Sequence, residues 1–521
     1  MLRKILMLTG FAAIFVKGTF AQGYNNPVMP GFYPDPSICR VENDFYLVNS
    51  TFQYFPGISI HHSKDLIHWE QIGNCIDRSS QMNLSKTGFA GGLYAPTIRY
   101  HEGIFYMINT NVSHGGNYYV TATNPAGPWS DPIWVAQGGI DPELFFDEDG
   151  KCYFMSTDQQ IKLREIDVKT GKFIGEQKRL WEGTGGRYPE GPHLYKKDGY
   201  YYLMIAEGGT EYGHKVTIAR SRFIDGPYEP NPSNPILTHQ CEAGQSSPIQ
   251  GTGHADMIQA ADGSWWIAFL AFRPQSASHH LLGRETFLAP VRWDKNAWPV
   301  VNGNGIVSLK MDCNTLPQVN MPEKSLKNDF SEKKLGMEWC YLCNPHDGNY
   351  SLTERSGFLR LKPSAVSINE MDSPTFVGRR QQHINFRSTV ALDAGGLKDG
   401  AEAGLSVYMS YNYHYDLSVA CRNGSRYLNL NYFLGSLKHL EKEVRLEKDF
   451  IYLRVVGSPD YYTFYYSADN KSYEKLGTID TRFLSSETAG GFTGVFLGLY
   501  AQGKTTNKSV ADFDWFEYIP Q

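Results

Sequence analysis

Three acidic residues of this chain, Asp35, Asp141 and Glu190, each stand one or two residues before a proline. Carboxyl groups in different protonation states can cleave a glycosidic bond, because one donates a proton to the leaving oxygen while the other activates water or attacks directly. A lone Asp-Pro pair would indicate only the start of a loop. Its recurrence in three related segments favours a shared site of acid–base chemistry.

These segments belong to a diverged repeat that fills the first 310 residues. Each copy opens with a small or acidic residue, continues as an apolar strand, makes a tight polar turn and enters an aromatic strand. The five copies begin at Asp35, Ala95, Asp141, Glu190 and His254. Their turns are Asn43-Asp44, Glu102-Gly103, Asp149-Gly150, Asp198-Gly199 and Asp262-Gly263. Asp-Gly between two strand-like runs strongly indicates a β-hairpin.

The repeat spacing predicts the architecture. Successive copies begin 60, 46, 49 and 64 residues apart, and a four-stranded propeller blade needs about 40–50 residues. Five copies therefore predict a five-bladed β-propeller with insertions in two blades. The first strand of each blade lies nearest the axis, so the repeat starts should point into one central cavity. This would bring Asp35, Asp141, Glu190 and His254 together.

The pattern changes after the repeat, and the chain as a whole is predicted to be all-β. We expect the propeller over residues 22–310, a linker containing Pro and Lys over 311–327, and a β-sandwich of the concanavalin or jelly-roll type over 328–521. Alternation of apolar and polar residues, as in Leu359 to Lys362, is typical of half-buried strands.

The N-terminus is typical of a signal peptide over residues 1–21. Arg3 and Lys4 precede an apolar run, and Thr19-Phe20-Ala21 offers a small-x-small cleavage site. The protein is therefore expected to be exported, either periplasmic or secreted, and without a membrane anchor because no cysteine follows that site. A net charge of −5 makes nucleic acid and anionic lipid poor partners. The oligomeric state is left open.

Composition agrees with a globular sugar-binding protein. Hydrophobic residues make up 41% and aromatic residues 14%, with 33 Tyr; aromatic rings suit both β-sheets and the apolar faces of sugars. The eight cysteines are irregularly spaced, so no disulfide framework is indicated. Cys340-x-x-Cys343 lacks both a second pair for zinc and a βαβ context for redox chemistry, so neither role is expected there.

Four longer segments carry a more specific pattern. They are Gly31-Phe32-Tyr33-Pro34-Asp35-Pro36-Ser37, Gly139-Ile140-Asp141-Pro142, Tyr188-Pro189-Glu190-Gly191-Pro192, and Gly283-Arg284-Glu285-Thr286-Phe287 followed by Trp293 and Trp298-Pro299-Val300. Together they resemble glycoside hydrolase family 43 over about residues 25–305. Residues 328–521 resemble the β-sandwich that follows this domain in the xylosidase/arabinofuranosidase branch.

The resemblance implies a role for each carboxyl group. Asp35 would be the general base that activates water, and Glu190 the general acid. Asp141 would hold Glu190 in position and raise its pKa by like-charge proximity. The family inverts anomeric configuration, which needs the two catalytic carboxyls roughly 6.5–9.5 Å apart so that water fits between them.

The resemblance also implies a sugar pocket. Arg284 would reach the terminal sugar, although an ion pair with Glu285 or another acid is an alternative for it. Phe52, Tyr94 and Thr210 would line the pocket. Tyr94 departs from the Trp of the family pattern, which puts the choice of sugar in doubt.

Two further features remain open at this point. The segment containing Phe492 and Phe496 resembles the part of the sandwich that reaches over the cavity, and Phe496 is expected to contact substrate, although at least one of the two rings belongs to the sandwich core. No cofactor is required. His254 is expected under the site, either as a hydrogen-bonded core histidine or as a ligand of a structural Ca²⁺.

These observations predict an exo-acting, inverting glycoside hydrolase that acts on an oligo- or polysaccharide and releases a terminal pentose. The first candidate is an α-L-arabinofuranosidase acting on hemicellulose side chains, since export suits side-chain trimming; β-D-xylosidase, or both activities, is the alternative. The three carboxyls and Arg284 argue against an inactive sugar-binding propeller. A retaining fructan-cleaving enzyme would need an Asn-Asp-Pro context, whereas the chain has Tyr33-Pro34-Asp35.

Overall fold

The structure, a computed structural model, describes residues 22–275, 278–313, 315–317, 319, 325–504 and 508–521. The predicted signal peptide lies outside these residues. The described chain is almost entirely β, with short helices at Glu242–Gln245, Asp347–Asn349, Thr481–Leu484 and Ser486–Ala489. In this part of the chain no helix has the length and apolar character that a membrane span requires.

Five antiparallel sheets form the N-terminal domain, and each corresponds to one copy of the repeat. Blade 1 contains Ser37–Val41, Asp44–Val48, Gly57–Ser63 and Glu70–Ile76. Blade 2 contains Thr97–His101, Ile104–Asn111, Gly116–Ala122 and Ile133–Trp134. Blade 3 contains Ile140–Phe146, Cys152–Thr157, Ile161–Asp167 and Lys172–Arg179. Blade 4 contains Glu190–Lys197, Tyr200–Glu207, Lys215–Ser221, Glu229–Pro230 and Leu237–Thr238. Blade 5 contains Gln250–Gln259, Trp265–Phe272, Glu285–Trp293 and Pro299–Val301.

The blades close into a ring. The first strand of each blade contacts the first strand of the next, and the first strand of blade 5 contacts that of blade 1. Apolar side chains fill the spaces between blades, for example Tyr202 of blade 4 and Trp266 of blade 5, both buried in one cluster. Outside the blades, Gln22–Asn25 pairs with Lys310–Cys313. The prediction of a five-bladed β-propeller is confirmed.

Two eight-stranded sheets form the C-terminal β-sandwich, as predicted. One sheet contains Tyr350–Ser351, Leu359–Leu361, Ala511–Pro520, Phe386–Asp393, Phe450–Gly457, Tyr461–Ser467 and Glu474–Asp480, with Lys327–Asn328 beside Ala511–Pro520. The other contains Leu437–Leu446, Ser425–Leu434, Tyr413–Arg422, Ala401–Ser410, Phe496–Gly503, Phe376–Arg380, Cys340–Leu342 and Tyr54–Phe55. Inward-facing residues such as Leu405, Leu417 and Leu453 are fully buried between the sheets.

One strand of the sandwich comes from the propeller. Tyr54–Phe55, in the blade 1 connection, pairs with Cys340–Leu342 at the edge of the second sheet. Around it Phe32, Phe376 and Phe496 form a buried cluster between the domains. Backbone hydrogen bonds and a shared core therefore join the two domains, which fixes the position of the sandwich relative to the propeller axis.

Candidate active site

A local backbone distortion positions the repeat starts. Asp35, Asp141 and His254 have φ of +52°, +52° and +42°, in the left-handed region. Strand pairing slips at the same place in blades 3 and 5, between Ile140 and Glu143 and between Gly253 and Ala255. Such a conformation costs about 1–2 kcal/mol for a residue with a side chain. Its recurrence on separate blades indicates a bulge that directs side chains into the central cavity.

Glu190 reaches the cavity from a different position than the sequence suggested. In blade 4 the left-handed residue before proline is Gly191, with φ +55°, so Gly191 corresponds to Asp141. The pairing agrees, because Glu190 faces Ala206 as Ile140 faces Thr157. Glu190 therefore lies one residue earlier in the repeat than Asp35 and Asp141, and the prediction of a common position was wrong for it.

A cavity of about 390 Å³ opens on the propeller axis where the first strands of the blades begin. The structure brings the following predicted residues together on its wall: Asp35, Phe52, Tyr94, Asp141, Glu190, Thr210, His254, Arg284 and Phe492. Ala95, a predicted repeat start, also lines it, and the structure adds residues to which the sequence reasoning gave no role in the site: Ile140, Tyr188, Gly209 and Glu211.

Asp35 is held as a carboxylate. Arg284 Nη1 donates a hydrogen bond to Asp35 Oδ1 at 2.7 Å, and Ser50 Oγ donates one to Oδ2 at 2.5 Å. Burial opposes ionisation, but the charge of Arg284, the nearby His254 and the Ser50 hydrogen bond outweigh it, so the pKa of Asp35 lies below its usual 3.8. An ionised carboxylate in the pocket is suited to accept a proton from water.

Asp141 has the opposite environment. Burial, Glu190 and Asp35 together raise the pKa of Asp141 well above 3.8, although the Gly191 N–H donates to its Oδ2 at 3.2 Å. Asp141 therefore keeps its proton at a pH where an isolated aspartic acid would have lost it.

Arg284 also connects the two domains. Its Nη1 donates to Thr210 Oγ1 at 3.0 Å, and its Nη2 approaches the Phe492 carbonyl oxygen at 3.4 Å. The guanidinium carbon lies 5.6 Å from the ring centre of Phe52 and 5.7 Å from that of Phe492. The expected alternative, an ion pair with Glu285 or another acid, is met in its second form: Glu285 binds Arg273, whereas Arg284 pairs with Asp35.

Two buried histidines lie beneath the carboxyls. His254 Nδ1 is 4.0 Å from Asp35 Oδ1, and His214 Nε2 is 3.4 Å from Glu190 Oε1. Neither ring nitrogen of His214 has a hydrogen-bond partner in the part of the chain that the structure describes. No sequence signal pointed to His214, because it lies just before the third strand of its blade, Lys215–Ser221, and far from a repeat start.

The calcium prediction for His254 stays a prediction. Calcium prefers six to eight oxygen ligands, and among the described residues no group of three His, Cys, Asp or Glu could hold a metal. Burial lowers the pKa of His254 below 6.5. A neutral imidazole that packs against Asp35 accounts for its position.

Comparison with known proteins places this geometry in a family. The sequence profile described as glycosyl hydrolases family 43 matches residues 24–299. The profile of the beta xylosidase C-terminal concanavalin A-like domain matches residues 327–519. The chain belongs to glycosyl hydrolase family 43.

The sequences of several relatives align with this chain over nearly its whole length. It is 44% identical to a non-reducing end alpha-L-arabinofuranosidase of Bacteroides ovatus, over 95% of this chain and 94% of that protein. It is 39% identical to a xylosidase/arabinosidase of Butyrivibrio fibrisolvens, over 94% and 98%. Among solved structures, a family 43 protein from a Bacteroides ovatus xyloglucan locus superposes with a TM-score of 0.92 at 42% identity, over 96% and 100%. A xylan beta-1,4-xylosidase from Bacillus halodurans superposes with a TM-score of 0.90 at 35% identity, over 95% and 100%.

The structure corrects the prediction for the two phenylalanines of the sandwich. Phe496 is fully buried, stacks on Tyr54 with ring centres 4.0 Å apart, and is absent from the pocket wall. Phe492 lines the pocket and is 39% exposed. A close approach of two glycines explains this, because a Cβ on Gly494 would lie 2.8 Å from the Gly283 nitrogen. In this family 43 enzyme, that contact places Phe492 next to Arg284.

A second layer of charge lies deeper on the axis, and sequence reasoning missed it. Arg99 donates to Glu143 Oε1 at 2.7 Å and to Asp256 Oδ2 at 2.8 Å, and Tyr195 donates to Asp256 Oδ1 at 2.6 Å. His193 Nδ1 lies 3.0 Å from Glu143. Glu143, His193 and Asp256 each stand two or three residues after a repeat start, which was the available signal. The network pairs the charge of Arg99 on the first strand of blade 2 with those of Glu143 and Asp256 on the first strands of blades 3 and 5.

Proposed function

We propose that the chain is an exo-acting, inverting glycoside hydrolase that releases a terminal pentose, with α-L-arabinofuranosyl units of hemicellulose side chains as its first candidate substrate. One observation carries the proposal. Three carboxyl groups from three blades share one pocket, and their surroundings drive Asp35 toward the ionised form and Asp141 toward the protonated form. Acid–base cleavage of a glycosidic bond needs an ionised base, which is the state of Asp35, and a second carboxyl that donates a proton, which is the role we assign to Glu190 beside Asp141.

The proposed reaction is a single displacement. Asp35 removes a proton from a water molecule as the water oxygen attacks the anomeric carbon. Glu190 donates its proton to the glycosidic oxygen as the bond from that oxygen to the anomeric carbon breaks. Asp141 accepts a hydrogen bond from the N–H of Gly191, the residue after Glu190, and so helps to hold the acid in place.

Exo action is proposed from the closure of the pocket by the sandwich. Phe492 and Arg284 form one wall, joined by the approach of Arg284 Nη2 to the Phe492 carbonyl oxygen. Phe492 and Phe52 are roughly parallel, with ring centres 6.2 Å apart. A propeller alone would present an open cleft, whereas a wall on this side leaves room for a chain end only.

The choice of sugar rests on relatives. A protein 44% identical to this chain is named a non-reducing end alpha-L-arabinofuranosidase, which favours arabinofuranoside. β-D-Xyloside is the second candidate, since another relative is named a xylosidase/arabinosidase. Initial rates on nitrophenyl α-L-arabinofuranoside and nitrophenyl β-D-xyloside, measured side by side, decide between them. Failure to cleave either substrate would overturn the proposal.

The mechanism has its own test. Glu190→Ala should slow hydrolysis of unactivated disaccharides by about 10²–10⁴-fold and of dinitrophenyl glycosides much less, because a good leaving group needs little protonation. Asp35→Asn should abolish both activities. NMR of the first-formed product should show the inverted anomer, and net retention would contradict the single displacement.

Export is also proposed, on the Arg3-Lys4 and Thr19-Phe20-Ala21 pattern of the N-terminus. Mass spectrometry of the protein recovered from a cell's extracytoplasmic fraction should give a first residue near position 22. A protein that retains Met1 and stays with the cytoplasmic fraction would contradict it.

A further inference from the structure

Tyr188 is exposed at the mouth of the pocket, two residues before the proposed acid Glu190. It lines the cavity and is 64% exposed, whereas few aromatic residues of the propeller are exposed. Its backbone has φ of +53°, a conformation that bulky residues rarely adopt. A strained backbone that holds an exposed ring beside a reactive carboxyl group indicates that the position of the ring serves a function.

Neighbouring elements hold this ring in place. The carbonyl oxygen of Pro189 accepts a hydrogen bond of 2.6 Å from Thr157 Oγ1, which fixes the chain between Tyr188 and Glu190. Gly209 lies against the ring edge, and a Cβ there would be 3.2 Å from Tyr188 Cδ2. A glycine at this position therefore lets the ring lie directly on the backbone of the neighbouring loop.

Polar groups flank the ring. The Arg187 guanidinium carbon lies 5.5 Å from the Tyr188 ring centre, and Arg187 Nη2 donates to Glu211 Oε2 at 3.1 Å. Arg187 also donates to the Gly208 carbonyl oxygen at 3.2 Å. The mouth of the pocket thus combines an open aromatic ring with one donor and one acceptor group, which are the contacts that a neutral sugar ring uses.

We propose that Tyr188 is the stacking platform for the leaving-group sugar, the unit on the far side of the scissile bond, and that Arg187 and Glu211 bind its hydroxyl groups. This inference rests on the proposed function. The acid protonates the oxygen between the two sugars, so the leaving sugar lies beside Glu190 and outward of it, where Tyr188 stands. The ligand class is a neutral saccharide unit of an oligo- or polysaccharide.

The test compares substrates with and without a leaving sugar. Wild type, Tyr188→Ala and Tyr188→Trp are assayed on a pentose disaccharide, arabinobiose or xylobiose, and on the glycosyl fluoride of the same pentose. Nitrophenyl glycosides are avoided because their ring would itself stack on Tyr188. For Tyr188→Ala the loss in kcat/KM on the disaccharide should exceed the loss on the fluoride by about tenfold, the size expected for one ring contact. Tyr188→Trp should largely restore the wild-type ratio.

A second variant guards against a folding defect. Tyr188→Asn removes the ring, and Asn tolerates positive φ, so this variant should fold and show the same tenfold difference. Equal losses on both substrates in Tyr188→Asn, or unchanged rates on both, would overturn the platform. If the wild type cleaves neither the disaccharide nor the fluoride, the proposed function fails instead, so the two failures are distinguishable.

Discussion

The two phenylalanines of the sandwich segment should respond to truncation in opposite ways. Phe496 is fully buried, stacks on Tyr54 at 4.0 Å with an 18° interplanar angle, and meets Phe32 edge-on at 6.1 Å. Phe496→Ala should therefore create a cavity between the domains and cost about 3–5 kcal/mol of unfolding free energy. At about 2–4 °C per kcal/mol, Tm should fall by about 6–20 °C.

Phe492→Ala should instead affect substrate binding. The side chain is 39% exposed and lines the pocket, so its truncation should lower Tm by only about 2–4 °C. Loss of its contact with the terminal sugar, worth about 1–2 kcal/mol, should raise KM about 5- to 30-fold.

The assay pairs thermal unfolding with initial rates on the better nitrophenyl glycoside. Phe483→Ala is the matched control, because Phe483 is 38% exposed on the same domain and lies outside the pocket wall; it should change neither quantity much. The reasoning is refuted if Phe496→Ala keeps the wild-type Tm and raises KM, or if Phe492→Ala unfolds like Phe496→Ala with an unchanged KM.

Further outcomes follow from the charges and thiols. Arg284→Ala removes the largest of the influences that keep the pKa of Asp35 below 3.8. Burial is then opposed only by the histidines and the Ser50 hydrogen bond, so that pKa rises and the acidic limb of kcat/KM should move to higher pH, and less so in Arg284→Lys. Arg99→Met leaves Glu143 and Asp256 buried without their counter-charge and should cost about 3–5 kcal/mol in urea unfolding. Burial opposes ionisation of Asp256, but Arg99 lowers the pKa of that carboxyl. The ionised Asp256 therefore stabilises the fold at neutral pH, and this contribution is lost as the pH falls through the lowered pKa. Measuring Tm during acid titration of wild type and Arg99→Met checks the sign. All eight cysteines are unpaired, so Tm should be the same with and without dithiothreitol.

Particular residues explain why much of the site was predictable. A hairpin is specified by a short stretch of chain, such as the Asp149-Gly150 turn between its two strands. Five such hairpins at blade spacing predict a propeller, and a propeller brings strand starts to one axis whatever lies between them. Asp35 and Asp141 could therefore be assigned to one cavity although more than 100 residues separate them.

The position of Glu190 depended on backbone geometry that the pattern did not show. The left-handed residue of blade 4 is Gly191 rather than Glu190, which offsets the acid by one position from Asp35 and Asp141. In a strand a shift of one residue reverses the side-chain direction. Only the bulge, with its altered backbone, lets both positions face the same pocket.

By itself the sequence determined the propeller, the second β-domain and the carboxyls, since local hairpins and motifs specify them. Contacts between distant segments decided the rest. Tyr54–Phe55 joins the sandwich sheet, and the approach of Gly494 to Gly283 sets Phe492 in the pocket while Phe496 enters the core. Such contacts depend on how the two domains pack. A glycine has no Cβ and so lets two backbones come close together, but the spacing of residues along the chain does not predict where this happens.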